Sequence, residues 1–415
     1  MAQNNTEERA LLVKVLLSRS ANPNDSLDEL ASLVSAAGAG IANRILQRRD
    51  KPDPAFYVGK GKAEEIRREC EEKECDLVVF DNELTPAQGR NLKDVIGVRV
   101  IDRTQVILDI FARRARTKEG KLQVELAQLN YLLPRLTGKG TELSRLGGGI
   151  GTRGPGETKL ETDRRRIRKR IQDLTEALAR VRKQRALLRQ ARKDVPLPLV
   201  ALVGYTNAGK STLMNALTGS EVFVQDMLFA TLDPTTRRLR LSNNEVVLLT
   251  DTVGFVSSLP HHLVAAFRAT LEEVTEADLL LHVADVSHPD VEKQIAAVDE
   301  VLASLGVLDK PTILVLNKID RIPDAELIVA DRPTVKVSAR EGTNLDVLKE
   351  EIVKGLALRR VVRTYTVPYE DGQTLSLLHE KGDVLEKEYL EEGVKVIVSI
   401  PWSLSQRLPH LSIRR

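Results

Sequence analysis

The stretch Gly204-Tyr-Thr-Asn-Ala-Gly-Lys-Ser211 fits the G-x-x-x-x-G-K-[ST] pattern of a phosphate-binding loop. An apolar run at 197–203 predicts a buried strand before it, and residues 211–217 predict a helix after it. Between a strand and a helix, such a loop points consecutive backbone N–H groups at phosphate oxygens. This context disfavours the alternative of a chance glycine-rich turn. The predicted phosphate-binding residues are Gly204, Tyr205, Thr206, Asn207, Ala208, Gly209, Lys210, Ser211 and Thr212.

Two of these side chains have distinct predicted roles. We expect Lys210 to neutralise the β and γ phosphates and the Ser211 hydroxyl to hold Mg²⁺. Asp251-Thr252-Val253-Gly254 ends a second apolar run at 246–250. We expect the Asp251 carboxylate to reach Mg²⁺ through water and the Gly254 N–H to sense a γ-phosphate.

Two further motifs predict which base is bound. Asn317-Lys318-Ile319-Asp320 ends a third apolar run at 312–316, and Ser338-Ala339-Arg340 ends a fourth at 334–337. A carboxylate at Asp320 can accept from two ring N–H groups of guanine, which adenine does not offer together. Backbone N–H groups of the second motif could close the base pocket. Each motif alone also fits an ordinary loop, but four at successive strand ends match the ligand edge of an open α/β sheet.

Length and composition set the broad class. A chain of 415 residues predicts two to four domains, and 42% apolar residues suffice for globular cores. Because no run of 18 apolar residues occurs and the N-terminus is polar, we expect no membrane span and a cytoplasmic protein. Peripheral membrane association is the alternative location, and we expect a monomer. Cys70 and Cys75 lack partners for a zinc site, and we expect both thiols to stay reduced.

Residues 1–114 predict a smaller α/β domain with a parallel sheet, because strand-like and helix-like segments alternate. Strands are expected at 11–17, 41–46, 77–80 and 98–101. Helices are expected at 26–37, capped by Asp25 or Ser26, and at 62–72 and 85–96. The loop at 57–62 is interpreted as a plain βα turn, with contact to RNA phosphate as the alternative.

Residues 115–195 predict an antiparallel helical hairpin. Apolar residues at 122, 126, 129, 133 and 136 repeat with heptad spacing, and so do those at 167, 171, 174, 178 and 181, with Leu188 one heptad on. The two helices flank a glycine-rich loop at 145–158, which is too rich in glycine to be helical. Arg185 interrupts the second seam.

The second helix of this hairpin is strongly basic. A solvated helix face is the alternative interpretation, but the one-sided charge beside a glycine loop favours nucleic acid. Aromatic residues are scarce here, which favours phosphates of structured RNA over stacking on single strands. The predicted RNA contacts are Arg153, Arg164, Arg165, Arg166, Arg168, Lys169 and Arg170.

A Pro-Leu-Pro boundary at 196–198 opens the predicted nucleotide domain at 196–360. It contains a hairpin over 237–250, helices at 261–277, 291–305 and 345–356, and a strand at 279–286. The tail at 361–415 predicts a small α+β domain, with strands at 361–367 and 394–400 and a helix at 374–381. Trp402 is expected in its core. The predicted fold class is therefore α/β: a P-loop domain preceded by a parallel α/β domain and a helical hairpin.

Three longer stretches make the whole chain resemble the HflX family, GTPases of the Obg–HflX group. They are Gly-Gly-Gly-Ile-Gly-Thr-Arg-Gly-Pro-Gly-Glu-Thr-Lys at 147–159, Asn-Ala-Gly-Lys-Ser-Thr at 207–212, and Leu-Phe-Ala-Thr-Leu-Asp-Pro-Thr-Thr-Arg at 228–237. The resemblance implies GTP and GDP as ligands, Mg²⁺ as cofactor, and the ribosome as partner, mainly its large (50S) subunit. It also implies splitting of stalled or idle ribosomes, notably under heat stress.

The resemblance also assigns residues. Phe229, Ala230, Thr231, Leu232 and Asp233 resemble switch I, with Thr231 as the Mg²⁺ threonine and Thr235 and Thr236 as competing candidates. Asn207 looks like the asparagine of K⁺-dependent relatives, with a loop-stabilising asparagine as the alternative. Phe255 stands where many GTPases place a water-orienting Gln. It is either a buried switch residue or the sign of an enzyme that is slow without its partner. The predicted catalytic residues are Lys210, Thr231, Gly254 and Asn207.

These inferences lead to a ribosome-associated GTPase whose basic hairpin contacts ribosomal RNA. Two alternatives stay open. The first is a GTPase that assists large-subunit assembly. The second is an RNA remodeller that also uses ATP through the N-terminal domain.

Overall fold

The computed structural model describes residues 8–17, 27–136, 155–191, 197–219, 228–229, 231–243, 245–256, 272–322, 331–357, 360–401, 404–405 and 408. The described residues fall into two compact units. The first holds those up to Lys183 and, in addition, those between 228 and 233, which lie within the predicted nucleotide domain. The second holds the other described residues from 184 onward.

A four-stranded parallel sheet forms the centre of the first unit. Its strands, in the order β2-β1-β3-β4, are β1 (Arg9–Leu17), β2 (Gly40–Arg49), β3 (Leu77–Phe80) and β4 (Arg99–Asp102). The inner strands β1 and β3 are almost wholly buried, as expected of parallel strands covered on both faces. This confirms the predicted parallel α/β domain.

Four helices accompany this sheet: α1 (Asp28–Ala36), α2 (Lys60–Glu72), α3 (Pro86–Ile96) and α4 (Arg103–Arg114). The predicted start of α3 is confirmed, because Thr85 and Gln88 form a capping box around Pro86. Helix α4 was not predicted; the Asp102 side chain caps it by accepting from the Gln105 N–H. The predicted cap of α1 lies outside the described residues.

The loop before α2 is a turn whose polar groups are used inside the domain. Gly59 has φ 90°, and a Cβ there would lie 2.8 Å from Arg49 Nη1. That guanidinium donates to the Val58 carbonyl at 2.7 Å, and Lys62 forms an ion pair with Glu65. These contacts agree with the plain βα turn.

The hairpin helices are α5 (Lys118–Leu132), extended by a 3₁₀ turn at Leu133–Arg135, and α6 (Pro155–Ala191). The predicted leucines of α5 are only half-buried, whereas Val124, Ala127 and Tyr131 are at most 5% exposed. Helix α5 lies against α4, and the Tyr131 hydroxyl donates to the Asp102 carboxylate at 2.8 Å. The leucine seam is therefore not the most buried face of α5, since packing on α4 selects another face.

In α6 the predicted positions Leu174 and Leu178 are buried. The helix begins at Pro155, so the last four residues of the predicted glycine loop are helical. Proline suits the first turn of a helix because its missing N–H has no partner there anyway. Residues 137–154 and the side chains of Arg185 and Leu188 lie outside the described part.

A six-stranded sheet forms the centre of the second unit. Its order is β10-β9-β8-β5-β7-β6, and every pairing is parallel except β6 with β7. The strands are β5 (Leu199–Gly204), β6 (Thr235–Arg240), β7 (Val246–Asp251), β8 (Leu279–Asp285), β9 (Thr312–Asn317) and β10 (Thr334–Lys336). The antiparallel β6–β7 pair is the predicted hairpin.

The helices of this sheet are α7 (Lys210–Thr218), α8 (Glu272–Glu276), α9 (Val291–Ser304) and α10 (Leu345–Ala357), with a 3₁₀ turn at Ile319–Arg321. The predictions at 291–305 and 345–356 are confirmed to within one residue. Of the helix predicted at 261–277, only 272–276 are described and helical. One apolar core joins α7, α10 and the sheet.

The tail forms a small antiparallel sheet in the order β11-β13-β12, with one helix. Its elements are β11 (Arg360–Val367), α11 (Gly372–Lys381), β12 (Asp383–Leu390) and β13 (Gly393–Pro401). Strand β12 was not predicted, because it is exposed almost throughout and carries charged residues. Trp402 lies outside the described residues.

Two further observations concern the helices and the cysteines. Within the described ranges, no helix combines the length and the apolar character needed to cross a bilayer. Cys70 and Cys75 are buried free thiols, and burial raises the pKa of Cys70 to about 12.

Candidate functional site

The 204–211 loop joins β5 to α7, as predicted. Gly204 has φ 148°, and a Cβ there would lie 2.1 Å from the Val283 carbonyl oxygen. Asn207 and Gly209 also have positive φ, 62° and 92°. Glycine and asparagine are the residues that adopt this conformation most readily. The loop therefore holds its shape for backbone reasons that its sequence supplies.

Lys210 is buried inside this loop, with 6% of its surface exposed. Its Nζ donates to the carbonyls of Gly204, at 3.0 Å, and Tyr205, at 2.8 Å. Burial lowers the pKa of this ammonium to about 8, although the Asp251 carboxylate opposes the shift. Among the described residues, the hydrogen-bond acceptors of this ammonium are carbonyls, and a buried cation in such a setting is suited to binding an anion.

Ser211 and Asp251 face each other across the start of α7 and the end of β7. The Ser211 hydroxyl donates to Asp251 Oδ2 at 2.6 Å, and Asp251 is fully buried. A hydroxyl and a carboxylate form the oxygen donor set that Mg²⁺ prefers. No group of three or more His, Cys, Asp or Glu able to hold a metal occurs among the described residues. A magnesium ion here would therefore need further oxygens, such as those of a phosphate.

The segment after β7 is hydrogen-bonded to β5 and to the phosphate loop. The Thr252 hydroxyl donates to the Leu202 carbonyl at 2.6 Å. The Phe255 N–H donates to the Gly204 carbonyl at 3.1 Å, and its carbonyl accepts from the Thr206 N–H at 2.7 Å.

Gly254 lies at the tightest point of this contact. A Cβ there would stand 2.7 Å from Thr206 Cα and 2.9 Å from Lys210 Nζ. Only glycine allows this approach without displacing the loop. Phe255 beside it is 3% exposed, so its ring is buried.

Asn317 connects the phosphate loop to the loop after β10. Its side chain donates to the Ala208 carbonyl at 2.9 Å and accepts from the Ala339 N–H at 3.0 Å. Asn317 is 2% exposed. One buried amide thus sets the spacing between two loops that the sequence assigns to phosphate and to base.

Asp320 and Ser338 form the next contact at this edge. The Ser338 hydroxyl donates to Asp320 Oδ1 at 2.6 Å. This hydrogen bond holds the pKa of the Asp320 carboxyl below its usual range. An ionised carboxylate is the form that accepts from paired N–H donors.

Asp285 is a site residue that the sequence analysis missed. Lys318 donates to the Asn207 carbonyl at 2.9 Å and to Asp285 Oδ2 at 2.7 Å. Asp285 ends β8, between the strands that carry the phosphate loop and the Asn-Lys motif. The signal was available, since an acidic residue ends this predicted strand as Asp251 ends β7.

The remaining predicted nucleotide contacts divide into three groups. Val253 is buried, Thr212, Thr231 and Ile319 are half-buried, and Arg340 is exposed. Ala230 lies outside the described residues, and so does Arg153, which was predicted to contact RNA. The side chains of Phe229 and Asp233 contact α4 and the start of α5 in the first unit.

Thr235 and Thr236, the competitors of Thr231, both lie in β6. The Thr236 hydroxyl is 2.9 Å from the Thr250 hydroxyl, and Thr235 pairs with Asp251 in the strand ladder. Both are therefore part of a regular strand.

Helix α6 presents its basic residues mainly to solvent. Arg165, Arg166, Arg168, Lys169 and Arg170 are exposed, and Arg164 is half-buried. Arg170 binds Glu125 of α5 through two hydrogen bonds of 2.7 and 2.8 Å. Arg165 and Lys169 form no ion pair within the described part of the chain. These two exposed charges can therefore contact a binding partner.

Three family models match successive parts of the chain. "GTP-binding GTPase N-terminal" matches residues 24–112, "GTP-binding GTPase Middle Region" matches 114–192, and "50S ribosome-binding GTPase" matches 199–318. Each model lies within one of the three parts of the chain before its tail, and the third match ends at residue 318.

Curated proteins match this chain over almost its whole length. The chain is 49% identical to "GTPase HflX" of Caldanaerobacter subterraneus subsp. tengcongensis, over 98% of this chain and 94% of that protein. It is 45% identical to "GTPase HflX" of Escherichia coli (strain K12), over 98% and 95% of the two chains.

Among solved structures, a GTP-binding protein from Sulfolobus solfataricus in complex with GDP matches with a TM-score of 0.44. It shares 25% sequence identity, over 84% of this chain and 98% of that one.

Proposed function

This chain belongs to the HflX family of GTPases and is a GTP hydrolase, and from that premise we propose that it acts on the ribosome. In this proposal it binds the large (50S) subunit, hydrolyses GTP there, and splits stalled or idle ribosomes under stress such as heat. The observation that carries the proposal is one chain with both a formed P-loop site and a basic helix, α6, on which Arg165 and Lys169 are exposed and form no ion pair with another described residue.

We assign the phosphates to the 204–211 loop. Its backbone N–H groups hold the phosphate oxygens, and Lys210 exchanges its two carbonyl partners for the β and γ phosphates. Ser211, Asp251 and Thr231 would hold Mg²⁺, which supplies positive charge beside the phosphates when it is bound. The Ser211–Asp251 pair supports this assignment, since its oxygens already lie within hydrogen-bonding distance.

The base is assigned to the loops after β9 and β10. The Asp320 carboxylate accepts from the paired N–H donors of guanine, and Ser338 keeps that carboxylate ionised and oriented. The backbone of 338–340 closes the pocket, and the Asn317 bridge fixes its distance from the phosphate loop.

Hydrolysis on this site is proposed to be slow without the ribosome. The Gly254 N–H marks the γ-phosphate, but the buried Phe255 offers no group that can orient water. The ribosome would complete the arrangement, and an added donor at such a centre supplies on the order of 10³-fold or more. Asn207 is proposed to admit K⁺ beside the phosphates. Its left-handed backbone equally explains an asparagine, so hydrolysis rates in K⁺ and Na⁺ buffers decide this point.

The first experiment measures GTP turnover with and without purified large subunits. We expect stimulation of roughly 10³-fold or more at saturating subunits. Equal rates in both samples would contradict the proposal. Sedimentation of mature ribosomes with the protein and a non-hydrolysable GTP then separates splitting from assembly. Ribosomes that dissociate support splitting, whereas binding confined to precursor particles supports the assembly alternative.

The second experiment tests the RNA contact. Exchange of Arg164, Arg165 and Arg166 for Glu should weaken large-subunit binding at physiological salt by about tenfold or more, because phosphate contacts become repulsive. The matched control reverses Arg67 and Arg68 of α2 and Lys73, the residue that follows this helix, which changes net charge equally. Loss of binding in both variants would show a general charge effect, and loss in neither would refute the contact.

A further inference from the structure

Asp233 caps a helix far from it in sequence. Its Oδ2 accepts from the backbone N–H of Arg116, at 2.8 Å, and of Thr117, at 2.9 Å. Its Oδ1 accepts from the Thr117 hydroxyl. Thr117 is itself the N-cap of α5, since its hydroxyl accepts from the Gly120 N–H at 2.9 Å. A carboxylate at a helix N-terminus is stabilised by the unpaired N–H groups and by the helix dipole.

Phe229 forms a second attachment four residues earlier. Its ring packs edge-to-face on Phe111 of α4, with the ring centres 4.7 Å apart and the planes at 73°. Phe229 is 2% exposed although its φ is 55°, a backbone conformation that a bulky residue rarely adopts. Burial of the ring stabilises this backbone conformation, so the attachment determines the path of the chain.

Because Gly120 has no side chain, the Asp233 carboxylate can lie directly against the first turn of α5. A Cβ on Gly120 would lie 2.5 Å from Asp233 Oδ1, closer than any stable contact. A glycine in the first turn of α5 weakens that helix by about 1 kcal/mol relative to alanine. Glycine at residue 120 therefore permits the contact with Asp233 at the expense of helix stability.

We propose that Phe111, Thr117 and Gly120 form a dock that positions Thr231 for the GTPase reaction. This inference rests on the proposed role of Thr231 at the Mg²⁺ and γ-phosphate. Thr231 lies two residues from each attachment, so fixing Phe229 and Asp233 leaves it little conformational freedom. Less entropy is then lost when GTP orders it. GDP has no γ-phosphate to contact Thr231, so the dock does not increase the affinity for GDP.

The dock also places the nucleotide-sensing segment on the helix that holds the basic arm. Helix α5 binds α6 through the Glu125–Arg170 pair. Because coupling is reciprocal, GTP that orders Thr231 must stabilise the N-terminus of α5 by the same factor.

Gly120→Ala is the decisive variant, because alanine strengthens α5 yet its methyl group displaces Asp233. Its matched control is Gly89→Ala in α3, a helical position where a Cβ meets nothing within 4 Å. With Mg²⁺ present, we expect Gly120→Ala to weaken a non-hydrolysable GTP about five- to thirty-fold, as for one residue newly disordered. GDP affinity should stay within about twofold, and the control should match the parent protein.

Thr117→Val and Thr117→Ser provide the second pair. Valine removes the hydroxyl that bonds Asp233, and serine retains it, so only serine should preserve the preference for the GTP analogue. Hydrogen exchange tests the dock in the parent protein. The backbone amides of residues 116–120 should exchange more slowly when the GTP analogue is bound than when GDP is bound.

Three results would overturn the dock. The first is an affinity for the GTP analogue that does not change in Gly120→Ala. The second is a higher affinity in that variant, which would mean that the dock opposes GTP binding. The third is hydrogen exchange of the 116–120 amides that is equal with the GTP analogue and with GDP. Failure of the parent protein to bind either nucleotide would instead refute the proposed function.

Discussion

Replacing Asn317 by alanine tests whether one buried amide unites the nucleotide site. The substitution removes both of its hydrogen bonds, to the Ala208 carbonyl and from the Ala339 N–H. Both partner residues are buried, at 1% and 7% exposure. A buried polar group without its partner costs about 1–3 kcal/mol, so two cost about 2–6 kcal/mol. Water entering the vacated space reduces this to an expected ~2–4 kcal/mol.

That loss is large beside a domain stability of about 5–15 kcal/mol, yet it leaves the domain folded. In nucleotide-free protein it should speed hydrogen exchange in β9 and in the 204–211 loop by about thirty- to several-hundred-fold. Affinity for GDP and GTP should fall together by about ten- to a hundred-fold, because the loops for phosphate and base lose their common spacing.

The assay is exchange mass spectrometry with parallel calorimetric titration of GDP. Asn130→Ala serves as the control, since Asn130 is exposed on α5 and the chemical change is the same. If exchange in both segments stays within about twofold of the parent protein, the Asn317 bridge does not stabilise these loops, and its proposed role is refuted.

Three further predictions concern the same site. Because burial lowers the pKa of Lys210 to about 8 and a bound phosphate raises it again, GTP binding should take up a proton above that pH. Calorimetry in two buffers of different ionisation enthalpy should show this uptake near pH 9 and not near pH 7, and uptake at neither would contradict it. Folding of the nucleotide-free protein has the opposite proton balance. Between the folded pKa of about 8 and the ordinary value of 10.5, the unfolded chain holds a proton on Lys210 that the folded chain has released. The free energy of unfolding should therefore increase as pH rises through that window. Asp320→Asn should weaken GDP about thirtyfold or more, since the charged acceptor for guanine is lost, while the Ser338 hydroxyl keeps an acceptor and the fold is retained; equal GDP affinity would place the base elsewhere. Gly209→Ala should weaken GDP about tenfold or more, because φ is 92° and its Cβ would lie 2.3 Å from Asn317 Nδ2, whereas Gly219→Ala, with φ 64° and nothing within 4 Å, should lose about 1 kcal/mol of stability and keep its GDP affinity.

Much of the site could be predicted because its signals are local. The 204–211 loop needs glycine where φ is positive, and each motif directly follows a run of buried apolar residues. Parallel strands place their carboxyl ends at one edge, so four motifs in sequence order imply one pocket. The same locality explains why α9 and α10 were placed to within a residue.

Other features depend on packing and left no local signal. The leucines of α5 repeat with perfect spacing, yet Val124, Ala127 and Tyr131 are more buried than those leucines on this helix, which lies against α4. Strand β12 is charged and exposed, and it is a strand only because β13 pairs with it. Periodicity predicts which face of an element can be buried, whereas the neighbouring element decides which face is buried.

The sequence by itself determined that this chain carries a phosphate loop, a guanine-type motif and a basic helix, since backbone conformation and apolar period are properties of neighbouring residues. Only the tertiary structure decided that Asp233 caps α5 and that Asn317 joins two loops. Asp233 and Thr117 are 116 residues apart, and Asn317 and Ala208 are 109 apart. A hydrogen bond across such a distance exists only when the folded chain brings its donor and acceptor together, and no local pattern records it.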